Sequence, residues 1–190
     1  MPERPLILAS TSPYRRELLE RLHLPFAQEA PDFAELAAGS MPPAELVRHN
    51  SVGKARAVAG RHPEALVIAS DQLAVCDAMV LGKPGSPARA IEQLSMLSGR
   101  SVTFLTGLAL IDGQEERFEI VPFSVRFRAL EAAEIEAYVR TEQPLDCAGS
   151  FKSEGLGIAL FESMHGDDPT ALVGLPLIRL SEWLKPLRKC

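Results

Sequence analysis

Cysteine is scarce in this sequence, with single copies at positions 76, 147 and 190. Because no CxxC pair occurs and the three positions are far apart, a disulfide framework and a zinc site are both disfavoured. The four histidines are equally scattered, and none forms an HxxxH pair or lies near a GxSxG motif. Neither GxxxxGK[ST] nor GxGxxG occurs, so neither a P-loop nor a dinucleotide fingerprint is indicated.

Long apolar runs and an excess of positive charge are also absent. No apolar run approaches the length of a membrane-spanning helix, and the apolar part of the N-terminal segment is too short for a secretory signal. The formal net charge of −5 disfavours a nucleic acid polymer as partner, because such polymers bind basic surfaces. We therefore expect a cytoplasmic protein without membrane association, in which a local cluster of cations could still bind a small anion.

The residues that are present indicate a mixed α/β fold. Apolar residues make up 46% of the 190, enough for one domain or for two small lobes around a cleft. Buried-strand runs such as LILA and ALVIASDQLAV alternate with helices that begin at prolines after Ser12 and Ser86. The alternating segment PFSVRF is typical of a half-exposed antiparallel strand. We predict a single domain over residues 1–190, with a mixed central sheet flanked by helices and a cleft between two lobes.

The segment LILASTSPYRRELLERL places two adjacent arginines in the first turn of a predicted helix over residues 13–22. Ser12 is the predicted N-cap and Pro13 the first helical residue. A helix N-terminus already carries partial positive charge, so Arg15 and Arg16 lie at the end that cations usually avoid. Helix amides and arginines together can hold a phosphate group. The turn therefore predicts an anion site.

Asp71 interrupts one of the apolar runs, where a lone buried charge would be costly. We place it at the exit of the strand, where open α/β sheets bind ligands. Its neighbours Ser70 and Gln72 are neutral and offer no charge partner. The alternative is an aspartate that merely starts a turn.

Further cations lie near glycines, prolines or helix ends: they are Arg15, Lys54, Lys83 and Lys152. Taken singly, each is typical of a solvated surface charge. Taken together, they fit a polyphosphate site. Such a site usually needs a divalent metal, Mg²⁺ or Mn²⁺, and Asp71 and Glu35 are the candidate carboxylate ligands.

Six separated motifs resemble, in the same order, those of the Maf family of nucleotide pyrophosphatases: LILASTSPYRRELL, ASDQLAV, LGKP, FLTGLAL, CAGSFKSEGLG and LVGLPL. The resemblance runs from Leu6 to about Leu184. It implies an α/β fold related to the inosine triphosphate pyrophosphatases. It also implies metal-dependent cleavage of nucleoside triphosphates between the α and β phosphates. Because Maf proteins often form dimers, the resemblance leaves a homodimer open.

Within the family, SDQ followed by GSFKSEG resembles the 7-methyl-GTP pyrophosphatase branch, whereas the dTTP and UTP branch typically has AYxIQG in that loop. The resemblance implies Asp71 as the proton acceptor, with Tyr14, Gln72 and Glu154 involved in substrate choice. A carboxylate can accept both donors on the guanine edge, and the cationic N7-methylated base also favours a carboxylate and an aromatic face. The family often carries Asp-Glu after the first helix, and Ala stands here before Glu35, which affects the expected metal shell.

The predicted phosphate-binding residues are Ser10, Ser12, Arg15, Lys54, Lys83 and Lys152. For Ser10, Ser12 and Lys54 the sequence does not separate a catalytic from a structural role. Two alternatives to 7-methyl-GTP hydrolysis stay open. One is a Maf-type pyrophosphatase that prefers dTTP, UTP or other modified nucleotides. The other is a nucleotide-sensing regulator of septum formation without significant turnover.

Overall fold

The computed structural model of this chain describes residues 4–185. The strands in this range are β1 (Leu6–Ala9), β2 (Ala27–Glu29), β3 (Leu66–Cys76), β4 (Met79–Leu81), β5 (Ser101–Asp112), β6 (Glu115–Phe127) and β7 (Phe161–His165). The helices are α1 (Pro13–Glu20), α2 (Pro43–Ala59), α3 (Pro87–Leu97), α4 (Ala132–Glu142), α5 (Pro169–Val173) and α6 (Leu177–Trp183), and a 3₁₀ segment covers Leu156–Leu160.

Three of the helices begin where a capping side chain precedes a proline. The side chain of Ser12 accepts a hydrogen bond from the backbone N–H of Arg15, and Ser86 does the same for Arg89 at the start of α3. Asp168 caps α5, a short helix that the sequence analysis did not predict. No helix within residues 4–185 is both long and apolar enough to cross a bilayer.

The strands form a seven-stranded mixed sheet in the order β2-β1-β3-β5-β6-β7, with β4 paired to β3. Strand β1 runs parallel to β2 and to β3, whereas the β3–β4 and β6–β7 pairs are antiparallel. Phe123, Val125 and Phe127 of β6 are buried, while Arg126 between them is exposed. The predicted mixed sheet with flanking helices and the half-exposed antiparallel strand are therefore confirmed.

Two compact units make up the described part of the chain. The first contains residues 4–72, 106–121 and 168–185, and the second contains residues 73–105 and 122–167. The single domain over residues 1–190 and the cleft both stay predictions.

The first unit has an apolar core on each face of its strands, because alternate residues of a strand point to opposite faces. Leu6 and Leu8 of β1 pack with Leu18 and Leu19 of α1 and with leucines of α6. Ile7 and Ala9 pack instead with residues of α2. The β1 and β3 strands are thus covered on both faces, which explains their continuous apolar sequence.

The second unit has an aromatic core. The rings of Phe104, Phe127, Phe151 and Phe161 pack edge to face, with centroids 4.8–5.6 Å apart. Phe151 lies near the middle of the glycine-rich segment CAGSFKSEGLG, so this ring anchors that segment to the core.

Candidate active site

Asp71 lies inside strand β3, with five residues of the strand on either side, and its side chain is buried. The prediction that it stands at the exit of the strand was therefore wrong. Its charge partner is not a neighbour in the sequence. Lys54 of α2 is that partner, with its Nζ 2.7 Å from Asp71 Oδ1. The sequence next to Asp71 does not indicate this ion pair, because Lys54 and Asp71 are 17 residues apart.

Lys54 also pairs with Glu35, whose Oε1 lies 2.8 Å from the same Nζ. The Lys54 side chain is 6% exposed, whereas that of Glu35 is 53% exposed. A single buried ammonium therefore lies between the two carboxylates that the sequence analysis assigned to metal binding. Two carboxylates and one ammonium leave this cluster with one net negative charge.

Asn50 joins the same cluster from one turn earlier on α2. Its Nδ2 donates to Asp71 Oδ2 over 3.3 Å, and its Oδ1 accepts a hydrogen bond from the N–H of Leu36 over 3.1 Å. Positions 50 and 54 lie on one face of the helix, so both side chains can reach the same carboxylate. The sequence analysis missed Asn50, although an Asn and a Lys at this spacing on a buried helix face were a usable signal.

Gly53 explains why the segment that carries Glu35 lies against α2. A Cβ at position 53 would be 2.2 Å from Cζ of Phe33, so the aromatic ring occupies the space that a side chain would need. A glycine inside a helix costs roughly 1 kcal/mol relative to alanine. Here the missing side chain lets Phe33 pack closely and keeps Glu35 near Lys54.

The two arginines at the start of α1 have different partners. The Nε of Arg15 donates to the carbonyl of Gly174 over 2.9 Å, whereas Arg16 forms an exposed pair with Glu20 on the same helix. Burial lowers the pKa of the Arg15 guanidinium below its usual value, and the negative charges of Asp71 and Glu35 oppose that shift. Arg15 therefore belongs to the electrostatic environment of the Asp71 cluster.

Ser10 and Ser12 lie on the turn that leads into α1, and Tyr14 is the second residue of that helix. The Ser10 hydroxyl is buried and accepts a hydrogen bond from the N–H of Ser12 over 3.1 Å. Ser12 is the N-cap of α1, as predicted, and Tyr14 is half-buried. The two serines hold this turn in shape, and their phosphate-binding role stays a prediction.

Gln72 holds helix α5. Its Nε2 lies 2.9 Å from Thr106 Oγ1, 2.7 Å from the carbonyl of Ala171 and 3.1 Å from that of Leu172. Ser70 Oγ donates to the carbonyl of Gly174 over 2.8 Å, next to the contact from Arg15. The polar residues around Asp71 on β3 thus bond the C-terminal end of α5.

Asp168 connects α5 to α6 and was also missed. It is 2% exposed, and its Oδ1 accepts hydrogen bonds from both the N–H and the hydroxyl of Thr170. Its Oδ2 accepts from the N–H of Ile178 over 2.7 Å. The signal was present in the sequence, because Asp followed by Pro is a helix N-cap and first position.

Lys83, Lys152 and Glu154 belong to the second unit. Lys83 is exposed on the segment between β4 and α3, and Glu154 is exposed with its carboxylate accepting from the Ser153 hydroxyl. Lys152 is half-buried, and its Nζ donates to the carbonyl of Glu142 over 3.3 Å. Their placement around the same substrate as Asp71 stays a prediction.

The loop around Glu154 is held by α4. The Glu142 Oε1 accepts from the N–H of Leu156, and the N–H of Lys152 donates to the Tyr138 hydroxyl. A Cβ at Gly157 would be 2.3 Å from the carbonyl oxygen of Lys152, so the chain folds back closely on itself there. The ends of the loop are therefore fixed while Glu154 projects outward.

Cys147 lies just before this loop and is half-buried. Burial, reinforced by the adjacent charge of Asp146, raises the pKa of its thiol to about 12. A protonated thiol is a poor nucleophile and a poor metal ligand.

The residues around Lys54 can be tested for their fit to a divalent metal. Within residues 4–185, no group of three or more His, Cys, Asp or Glu side chains converges as a metal site. Asp71 and Glu35 nevertheless present two hard oxygen donors to one point, the position of Lys54 Nζ. Mg²⁺ is commonly bound by one or two carboxylates together with substrate phosphates and water, so this donor set fits a metal that binds with the nucleotide.

Comparison with protein families gives a match over nearly the whole chain. The family described as Maf-like protein matches residues 5–187. The chain belongs to the Maf family. The resemblance found from the six sequence motifs is therefore confirmed.

Several curated Maf relatives cover almost all of the chain. A protein of Pseudomonas aeruginosa named 7-methyl-GTP pyrophosphatase is 58% identical over 186 residues, which are 97% of this chain and 96% of the relative. A protein of Alkalilimnicola ehrlichii with the same name is 55% identical over 97% of this chain and 94% of its own length.

One solved structure shares the fold at low identity. The Staphylococcus aureus Ham1 protein superposes with a TM-score of 0.53 over 97% of this chain and 100% of its own, at 15% sequence identity. This likeness shows a common fold and nothing about activity.

Proposed function

We propose that this Maf protein hydrolyses 7-methyl-GTP to 7-methyl-GMP and pyrophosphate. The observation that carries the proposal is the buried Asp71 carboxylate, which is oriented by Lys54 and Asn50. Its negative charge and that of Glu35 both interact with the Arg15 guanidinium. Relatives with more than half of their residues identical bear the name 7-methyl-GTP pyrophosphatase. The SDQ and GSFKSEG motifs support the same substrate.

Asp71 is the proposed general base. Lys54 and Asn50 each bond one of its two oxygens, so the carboxylate has a defined orientation before substrate arrives. In the proposed reaction Asp71 takes a proton from a water molecule, and the resulting nucleophile attacks the α-phosphorus in line with the departing pyrophosphate.

Positive charge near the reaction centre offsets the charge that develops on the leaving pyrophosphate. Arg15 and Lys54 supply it from the first unit, and we propose Lys83 and Lys152 as further phosphate contacts. Asp71 and Glu35 are the proposed ligands of a Mg²⁺ or Mn²⁺ ion, which when bound would polarise the phosphate oxygens as a Lewis acid.

Base recognition is proposed for Glu154, with Tyr14 contributing an aromatic face. The Glu154 carboxylate is exposed and has acceptor capacity for the N1–H and the exocyclic amine of guanine. Because the Gln72 amide nitrogen already donates to α5 and Thr106, any contribution of Gln72 to substrate choice must use its oxygen or the position of α5.

Product analysis tests the proposal directly. The purified protein is incubated with 7-methyl-GTP, GTP, UTP or dTTP and with Mg²⁺ or Mn²⁺, and the monophosphate and pyrophosphate are quantified. We expect the highest kcat/KM for 7-methyl-GTP. A preference for UTP or dTTP would contradict the substrate assignment, and binding without pyrophosphate release would favour a nucleotide-sensing regulator.

Two further expectations depend on this function. Nucleoside triphosphates are cytoplasmic metabolites, so we propose a cytoplasmic location. A homodimer stays a prediction that the mass of the protein in solution would test.

A further inference from the structure

We propose that Lys54 occupies the cation position between Asp71 and Glu35 in the resting enzyme, and that its ammonium must leave before a divalent metal can bind both carboxylates. The inference rests on the proposed function, which assigns the metal to these two residues. It adds that Lys54 changes partners, so that it lowers metal affinity before nucleotide binds and contacts phosphate afterwards.

The distances show that one position is shared. Lys54 Nζ is 2.7 Å from Asp71 Oδ1 and 2.8 Å from Glu35 Oε1, which are ordinary charge-assisted contacts. A Mg²⁺ ion binds oxygen at about 2.0–2.1 Å, so both oxygens would have to lie closer to the ion than they now lie to the ammonium nitrogen. An ammonium at its present position would lie against that ion, and the two positive charges would repel.

The three side chains differ in their freedom to move. Asp71 is part of β3 and is also bonded to Asn50, so its position is fixed. Glu35 lies on the irregular segment between β2 and α2, and more than half of its side chain is exposed. Lys54 has a four-carbon stem with several rotatable bonds, so its ammonium can change position while its backbone stays in α2.

Exchange of partners makes metal and nucleotide binding cooperative. When Lys54 leaves the carboxylates, its charge needs a new anionic partner, and a substrate phosphate supplies one. Nucleotide therefore favours the arrangement in which Asp71 and Glu35 are free for a metal. By linkage, metal then raises the affinity for nucleotide by the same factor.

Metal affinity of a Lys54→Met variant tests this arrangement without any catalysis. Methionine keeps an unbranched apolar side chain, one atom shorter than that of lysine, and removes the ammonium. We expect titration calorimetry with Mn²⁺, in the absence of nucleotide, to give at least tenfold tighter binding for this variant than for the wild type. Equal or weaker binding, or no Mn²⁺ binding by either protein, would overturn the proposal.

Arg56→Met is the matched control. Arg56 lies two residues further along α2, is exposed and pairs with Glu116, so its loss removes the same charge away from the carboxylate pair. We expect its Mn²⁺ affinity to stay within twofold of the wild type. An equal gain for both variants would mean that net charge, rather than the position of Lys54, controls metal affinity, and would overturn the proposal.

A measurement on the wild-type protein keeps the test valid even if Lys54→Met does not fold. The rate at which an amine-reactive reagent modifies Lys54 is followed by peptide mass spectrometry with and without Mn²⁺. Because the paired ammonium is buried, we expect modification to be slow without Mn²⁺ and several-fold faster with it. Both rates are measured relative to the exposed Lys185 as an internal reference. An unchanged or slower rate would overturn the exchange.

The outcomes separate this inference from the proposed function. If the wild type releases pyrophosphate from 7-methyl-GTP while Lys54→Met gains no Mn²⁺ affinity, only the role of Lys54 is wrong. If Lys54→Met gains Mn²⁺ affinity while the wild type cleaves no nucleotide, the exchange holds and the proposed activity is wrong.

Discussion

The two units hold their candidate functional side chains in different ways. In the first, Lys54 and Asn50 of α2 are buried, and each bonds to the buried Asp71 of β3. In the second, Lys83 and Glu154 are exposed on segments outside the strands and α-helices. A group that handles a proton needs a fixed orientation, whereas a group that recognises a ligand must be accessible to it. The first arrangement suits chemistry and the second suits recognition.

Asp71→Asn should cause the greatest loss of activity. Asn keeps the size and one acceptor oxygen but cannot act as the base, so we expect kcat to fall by about 10³-fold or more. Circular dichroism and thermal unfolding should show a folded protein. Pyrophosphate release within tenfold of the wild-type rate would contradict the assignment of Asp71.

Asp168→Ala should give the largest loss of stability in the first unit. It removes a buried acceptor of three hydrogen bonds and leaves the N–H groups of Thr170 and Ile178 without their partner, so we expect the free energy of unfolding to fall by about 2–4 kcal/mol. Urea unfolding measures this. Asp168→Asn, which keeps one acceptor, should lie between the wild type and alanine, and equal stability of all three would show that Asp168 does not hold α5 to α6.

Gly53→Ala tests whether the packing of Phe33 positions Glu35. The added methyl group meets the Phe33 ring, and overpacking of roughly 1–3 kcal/mol should exceed the helix gain of about 1 kcal/mol. We expect a small loss of stability and about tenfold lower kcat/KM.

Gly60→Ala at the end of the same helix is the control for Gly53→Ala. A Cβ there would meet the Arg56 carbonyl at an ordinary 3.4 Å, so activity should stay unchanged. A Gly53→Ala enzyme as active as this control would show that the packing of Phe33 does not position Glu35.

Glu154→Gln tests the recognition role assigned to the second unit. Glutamine loses the charge that attracts the cationic methylated base, so we expect the ratio of kcat/KM for 7-methyl-GTP to that for UTP to fall about tenfold. The thermal midpoint should hardly change because Glu154 is exposed. An unchanged ratio would remove Glu154 from base recognition.

Arg16→Ala should have the smallest effect. Its exposed pair with Glu20 is worth about 0.2–0.5 kcal/mol, and we expect kcat/KM within twofold of the wild type. Arg15→Ala, at the neighbouring position, should lower kcat/KM by tenfold or more. Equal effects of the two changes would contradict the assignment of Arg15 alone to the site.

Features that depend on neighbouring residues were predictable. Ser12 with Pro13 and Ser86 with Pro87 start helices because a cap and its hydrogen-bond partner lie within three residues. The apolar run before Asp71 was correctly assigned to a strand, but its end was placed too early, because a charge inside a strand seemed too costly without a visible partner. The partner, Lys54, lies on a helix that the sequence analysis did predict.

By itself, the sequence determined the mixed α/β class, the capped helices and the membership of the Maf family. These depend on local hydrogen bonds, side-chain periodicity and motifs that can be read along the chain. Only the tertiary structure decided that Lys54 lies between Asp71 and Glu35, that Asn50 completes their contacts and that Gln72 holds α5. Burial makes an unpaired charge or amide costly, and which distant group satisfies it depends on how the helices pack against the sheet.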